Sequence, residues 1–185
     1  MSGSFGTLTV LTEIAVKVLP KSLCNKTLVI DNPHLKKALE YLNLALSSSS
    51  DPSGGAFYPE VFRNYFSLND LTIKGALTAI RIEGPKSSVD QRIKNLMKEI
   101  NVNINEVSIL EPEQSNLFWE KTQNLSIFSN LKSNLLRIVV PPSETFNLIQ
   151  KIKKYEIKYF IDWGGNLVWV EINKSSPKIL KEIKK

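Results

Sequence analysis

The chain has 185 residues, 42% of them hydrophobic and 23% charged, which is enough for one ordinary core and unlike the composition of a disordered segment. One cysteine, Cys24, and one histidine, His34, set aside disulfide scaffolds, zinc sites and His-dependent proteolysis, leaving a half-buried thiol and a solvated first-turn histidine as the plain readings. The net charge of +6 is carried mainly by lysines gathered between Lys151 and Lys185, and reads as a solvated tail rather than a nucleic-acid stripe.

In chain order, residues 8–19 alternate apolar and polar side chains, include β-branched residues and close on Pro20, which predicts a long half-buried strand behind a glycine-punctuated turn. Residues 27–30 read as a second strand, stopped by Asp31-Asn32-Pro33, a helix start. From His34 to Leu46, apolar residues recur at three and four (Leu35, Ala38, Leu39, Leu42, Ala45), predicting an amphipathic helix. The run SSSSDPSGG, 47–55, is a loop. Residues 56–66 and 73–82 have strand character. Glu83-Gly84-Pro85 then opens a helix with Val89, Ile93, Leu96, Met97 and Ile100 on one face.

A strand is expected at 106–110, a helix after Pro112 that carries Leu117, Phe118 and Trp119, and a strand at 135–140 ended by Pro141-Pro142. A helix at 144–153, a strand at 158–162, a Gly164-Gly165 turn and a strand at 166–172 come next, the paired glycines supplying the positive φ that a hairpin needs. A lysine-rich helix is expected beyond Pro177. This repeated strand–helix–strand order predicts an α+β domain of ferredoxin-like type, with an antiparallel or mixed sheet and its helices on one face.

No apolar run reaches the ~20 residues that span a bilayer. No positively charged start leads into an apolar run as in a secretory leader, so a reducing, cytoplasmic setting is expected. Gly3-Ser4-Phe5-Gly6-Thr7 is neither a dinucleotide fingerprint nor a Walker loop, yet glycine-freed amides of this kind can approach a phosphate or a flat cofactor edge.

Extended through the predicted strand to Lys21, this segment, GSFGTLTVLTEIAVKVLPK, resembles the closing motif of the FAD-binding domain in the vanillyl-alcohol-oxidase (PCMH-type) superfamily. Four later stretches resemble, in the same order, landmarks of the E-type FAD-binding subunit of glycolate oxidase. They are AIRIEGP (79–85), LFW (117–119) with Phe128, LRIVVPP (136–142) and IDWGGNLVW (161–169). The resemblance covers nearly the whole chain, and the D-W-G-G-x-x-x-W hairpin is its most specific element.

What the resemblance implies is a flavoprotein subunit that oxidises glycolate or related 2-hydroxy acids, the cofactor FAD carrying the electrons. Gly3, Ser4, Gly6, Thr7 and Val10 then match the cofactor-binding positions, and no catalytic or metal-binding residue is implied. Residues 1–22 would be a remnant strand of the FAD-binding domain and 23–185 a ferredoxin-like cap domain. Thr9 stands where the family has glycine, and both ends read as truncated, so the chain is expected to need a companion chain supplying the FAD lobe, or other glycolate oxidase subunits, and not to catalyse alone. Two alternatives stay open. One is an autonomous nucleic-acid or protein binding module with a basic surface, against which the scarcity of arginine counts. The other is a small-molecule pocket around Trp163, Trp169, Arg137 and Asp162, with Arg81 and Arg137 as candidates to hold a carboxylate.

Overall fold

The computed structural model describes residues 3–18, 20–31, 34–66, 75–128, 134–155, 157–172 and 183. The expected helix beyond Pro177 and parts of two expected strands, at Leu19 and at 73–74, lie outside them. The elements are β1 (Cys24–Asp31), α1 (Leu35–Leu46), β2 (Gly54–Tyr58), β3 (Leu77–Gly84), α2 (Lys86–Glu99), β4 (Val107–Leu110), α3 (Pro112–Gln123), β5 (Asn134–Val139), α4 (Pro142–Ile152), β6 (Lys158–Asp162) and β7 (Leu167–Ile172). All strand pairs are antiparallel, and the seven described strands form one sheet in the order β4-β1-β3-β2-β6-β7-β5.

Side chains alternate across a strand, so each strand divides its residues between two layers. On the first face Leu28, Ile30, Phe57, Ile80, Ile82, Ile161, Val168 and Val170 meet Ala38, Leu42 and Ala45 of α1, Val89, Ile93 and Leu96 of α2, and Ile149 and Ile152 of α4. On the second face Val29, Ala56, Tyr58, Leu77, Ala79 and Phe160 meet Phe118 of α3, together with Phe62 and Phe66 of the 3-10 turn Glu60–Phe66. The helices are therefore not confined to one face as the sequence pattern suggested: three lie on the first and α3 on the second.

Tyr58 centres the second layer. Its ring stacks on Phe160 (4.9 Å between centroids, 11° between planes) and takes the edges of Phe66 and Phe118, while its hydroxyl lies 2.7 Å from Thr122 Oγ1. That bond satisfies a polar group which would otherwise be buried alone. Burial pushes the Tyr58 phenol well above its usual range, so it stays protonated.

Three local expectations need correction. The strand expected over 56–66 stops at Tyr58, because Pro59 has no N–H to give to the ladder, and the chain turns so that Phe62 and Phe66 face the aromatic cluster. β1 starts at Cys24, three residues before the expected strand, and extends the pairing with β3 to Cys24↔Gly84. Residues 9–18 are in no sheet: extended residues become a strand only with a neighbour, and none of the seven described strands pairs with them.

The serine-rich loop is fastened rather than loose. Arg92 of α2 donates from Nε to Ser50 O (2.9 Å), from Nη2 to Asp51 O (2.6 Å) and from Nη1 to Glu83 O (2.8 Å), tying loop, helix and the end of β3 together. At the other end of the sheet, Asp162 Oδ1 accepts from Trp163 N, and Trp163, Gly164 and Gly165 all have positive φ, giving the tight β6–β7 connection that the paired glycines foretold.

Candidate functional site

The two faces of the sheet differ in what covers them. The first is roofed by three helices, whereas on the second α3 and the 3-10 turns cover the centre and leave Arg81, Asp162 and Trp169 half-buried, with Arg137, Trp163 and Val139 exposed. A sheet face that is neither fully apolar nor fully solvated is where polar groups can be held in place by a rigid frame and still meet a ligand.

At one end of this face the register of β1 against β3 sets Asn25 opposite Glu83 and Thr27 opposite Arg81, and Gly54 of β2 opposite Arg81 on its other side. The side chains meet under the first turns of α3. Asn25 Nδ2 donates to Asn116 Oδ1 (2.9 Å), Arg81 Nη2 reaches the same oxygen at 3.5 Å, and Arg81 also pairs with Glu83 at 3.1 Å. Thr27 Oγ1 lies 2.7 Å from Ser115 Oγ and accepts from Trp119 Nε1 (2.8 Å). A Cβ on Gly54 would sit 3.2 Å from the Trp119 ring, so a glycine at that point lets the indole lie flat on the strand.

Two groups in this cluster carry unspent hydrogen-bonding capacity. Asn25, only 8% exposed, has no partner for Oδ1, and the buried Nε of Arg81 has none either, among the described residues. An unmet acceptor beside an unmet donor costs on the order of 1–3 kcal/mol each when buried, and such groups persist where a ligand or water completes them.

At the other end Arg137 of β5 stands opposite Trp169 of β7, and its guanidinium lies 5.0 Å from the centroid of the Trp163 ring, a cation–π contact. Asp162, Arg137 and Trp169 share the second face with Arg81, so the residues singled out in the hairpin region are brought to one surface. Asp162 is held by the Trp163 N–H, and burial raises its carboxyl above the ordinary range. It caps the turn as a turn-forming aspartate does.

The glycine-rich segment lies apart from this face. Gly3, Phe5 and Gly6 all adopt positive φ, and Thr7 returns both its N–H and its hydroxyl to Ser4 O (3.0 and 2.7 Å). Nothing lies within 4 Å of a Cβ placed on Gly3 or Gly6, so the turn leaves its backbone open on the outside. With Phe5 and Val10 exposed, the segment that carries Gly3, Ser4, Gly6, Thr7 and Val10 encloses no pocket of its own.

Sequence reasoning missed Asn25, Asn116 and Trp119 as a unit, because their meeting depends on α3 packing on the second face. An open groove between α1 and α4, lined by Lys36, Leu39, Glu40, Asn43, Pro142, Ser143, Phe146 and Asn147, lies on the opposite side. Among the described residues no helix is long and apolar enough to cross a membrane, and no three His, Cys, Asp or Glu side chains form a metal-holding group.

No protein-family model matches the chain. It is similar to the glycolate oxidase subunit GlcD of Bacillus subtilis, 26% identical over 168 residues that cover 86% of this chain and 36% of that protein. Two structures of alkyldihydroxyacetonephosphate synthase share its fold. One has a TM-score of 0.55 at 14% identity, covering 90% of this chain and 38% of the synthase; the other has a TM-score of 0.50 at 13% identity, covering 90% and 39%. The chain thus spans little more than a third of the length of the proteins it matches. The likeness to GlcD supports the broader resemblance read from the sequence and does not reach the E-type subunit in particular, while the solved structures show a shared fold alone.

Proposed function

We propose that this chain is the sheet-bearing, substrate-facing part of a FAD-linked oxidoreductase acting on a 2-hydroxy acid of the glycolate type, with most of the flavin surface supplied by residues outside this sequence. In this reading residues 1–22 belong with the flavin-binding lobe and 23–185 form the cap. The order β1-α1-β2-β3-α2-β4, with the strands lying 4-1-3-2, supports a ferredoxin-like description of the cap's first half. The setting is cytoplasmic, where Cys24 remains a buried thiol.

The observation that carries the proposal is the half-covered second face with its unspent Arg81 donor and Asn25 acceptor. A 2-hydroxy acid presents the complement: a carboxylate that accepts and a hydroxyl that donates. Arg81 would orient the carboxylate, Asn25 the hydroxyl, and Asn116 and Glu83 would hold the guanidinium in place. Trp119 and Trp163 flank the polar ends with flat apolar surface. The glycine turn around Gly3, Ser4, Gly6, Thr7 and Val10 would lie along one edge of FAD, which when bound accepts the electrons removed from the substrate. A basic nucleic-acid-binding module is less well supported: Tyr58, Phe118 and Phe160 on this face are buried, which leaves Trp163 and the half-buried Trp169 for stacking, and arginine is scarce.

The test is co-expression with the FAD-carrying glycolate oxidase subunit of the same cell, followed by dye reduction with glycolate and longer 2-hydroxy acids. Replacing Arg81 by Met is expected to raise KM for every carboxylate substrate by about 10- to 100-fold, the value of one or two charge-assisted bonds. Unchanged KM and kcat in Arg81→Met would remove the substrate-facing assignment, and a complex that forms without any 2-hydroxy-acid-dependent reduction would remove the reaction class.

A further inference from the structure

We infer that the cleft between α1 and α4 binds an organic anion with an aliphatic tail, a medium-chain carboxylate, with its head between Lys36 and Lys153 and its tail along Leu39 and Phe146. The cleft lies on the face opposite Arg81 and Asn25, so the inference stands apart from the flavin reading. Lys36, Leu39 and Glu40 follow one another at three and four on α1, and Pro142, Phe146 and Ile149 do so on α4, which turns one stripe of each helix toward the other. The narrower part of the cleft, ≈ 360 Å³, has Leu39, Pro142 and Phe146 as its apolar lining. The wider part, ≈ 570 Å³, has Leu35, Phe146, Ile149 and the ring of Tyr159. Lys36, Glu40 and Phe146 line both, which makes them one continuous cleft.

The wider end gathers donors that have no partner. Lys36 and Lys153 come from opposite sides of the cleft, and among the described residues neither takes part in an ion pair or hydrogen bond; the Tyr159 hydroxyl takes part in none either. Burial pushes the Tyr159 phenol up to about 12, so at neutral pH it keeps the proton that it would donate. Glu40, the carboxylate in the lining, is engaged by Lys37 at 3.2 Å, which leaves the other two ammonium groups uncompensated. Two cations and one hydroxyl over an apolar floor select the ligand class. A carboxylate accepts from all three, an inorganic anion would leave the floor wet, and an uncharged lipid would leave the lysines unused. From Lys36 to Asn43 α1 rises about 10 Å, a length that an eight-carbon chain spans.

The experiment titrates the isotope-labelled chain with octanoate, butanoate and inorganic phosphate and follows the backbone amide resonances, which give both the affinity and the place of binding. Octanoate is expected to saturate one site, with the shifts on α1 and α4, and butanoate to bind about tenfold more weakly for want of four methylenes half-removed from water. Two double variants remove equal charge from exposed lysines and are expected to keep the unfolding temperature of the parent. Lys36→Gln with Lys153→Gln should weaken octanoate by about tenfold or more, and Lys94→Gln with Lys98→Gln, on α2, by less than about twofold. Tyr159→Phe should weaken it by about threefold or more. Equal losses in the two double variants would mean a general attraction to a basic chain and overturn the site. Butanoate or phosphate binding as tightly as octanoate would overturn the aliphatic ligand. Shifts confined to the surroundings of Arg81 and Trp119, or no saturable shift at all, would overturn the cleft and leave the proposed function to its own test.

Discussion

Phe118→Ala is the sharpest test of the unexpected position of α3. Phe118 is fully buried and its ring lies 4.6 Å from that of Phe66, 5.4 Å from Trp119 and 5.8 Å from Tyr58. Truncation removes a whole aromatic side chain from a site walled by rigid rings and by the sheet, which can collapse only in part, so the loss falls in the range of about 3–5 kcal/mol. In a chain of this length each kcal/mol moves the unfolding midpoint by about 2–4 °C, giving an expected drop on the order of 6–20 °C. Urea unfolding reads the free energy and thermal unfolding the midpoint, each followed by far-ultraviolet circular dichroism and by tryptophan fluorescence, since Trp119 sits on the same helix. A loss under about 1 kcal/mol with an unchanged tryptophan spectrum would mean that α3 does not pack on the second face, and the polar cluster beneath it would lose its basis.

Lys26 is 13% exposed and bridges Asp90 of α2 and Glu111 at the start of α3, both at 2.9 Å. Lys26→Met keeps the buried stem and is expected to cost about 1 kcal/mol, less at high salt because both acids are substantially solvated. Glu111 and then Asp90 hold the ammonium above its ordinary 10.5. The stabilisation is therefore fully present below that pH and lost as pH rises through the folded value, and alkaline titration of the two forms should converge there. For Asp162 the sign is the reverse of a paired carboxylate. Burial raises its pKa above 3.8, so the contribution is most favourable below 3.8 and declines as pH rises through the folded value. Asp162→Asn retains an acceptor for the Trp163 N–H, and its urea midpoint should gain on that of the parent as pH rises from 3.8. Gly164→Ala introduces a left-handed alanine at φ +64 and a clash with the half-exposed end of Leu46, which can swing aside; a loss of about 1–2 kcal/mol in thermal unfolding is expected, mostly backbone strain.

Much of the first layer was legible because its helices follow the simplest pattern. The three-and-four spacing of Leu35, Ala38, Leu39, Leu42 and Ala45 marks α1, that of Val89, Ile93 and Leu96 marks α2, and the β6–β7 turn was written in Gly164-Gly165. The second layer was not legible, since α3 docks through residues that read as solvent-facing. Ser115 and Thr122 are buried because Thr27 and Tyr58, 88 and 64 residues away, satisfy their hydroxyls. The start of β1 was hidden for the same reason: Asn25 and Lys26 look like a polar connection until Asn116, Asp90 and Glu111 arrive from distant segments. Residues 8–19 read as a strand from alternation, β-branched residues and the closing Pro20, but alternation states only which side is apolar. Whether a strand forms depends on a neighbour, and none of the seven described strands pairs with this segment.

The proposal that most of the flavin surface lies outside this sequence can be tested directly. The purified chain and, where the two associate, its complex with the FAD-carrying glycolate oxidase subunit are each incubated with excess FAD, freed of unbound ligand and scanned for the visible absorbance and fluorescence of flavin. The expected result is a cooperatively folded chain that retains no flavin alone and a complex that retains it in stoichiometric amount. Stoichiometric flavin on the isolated chain would contradict this proposal and make the turn from Gly3 to Val10 part of a cofactor site complete in one polypeptide.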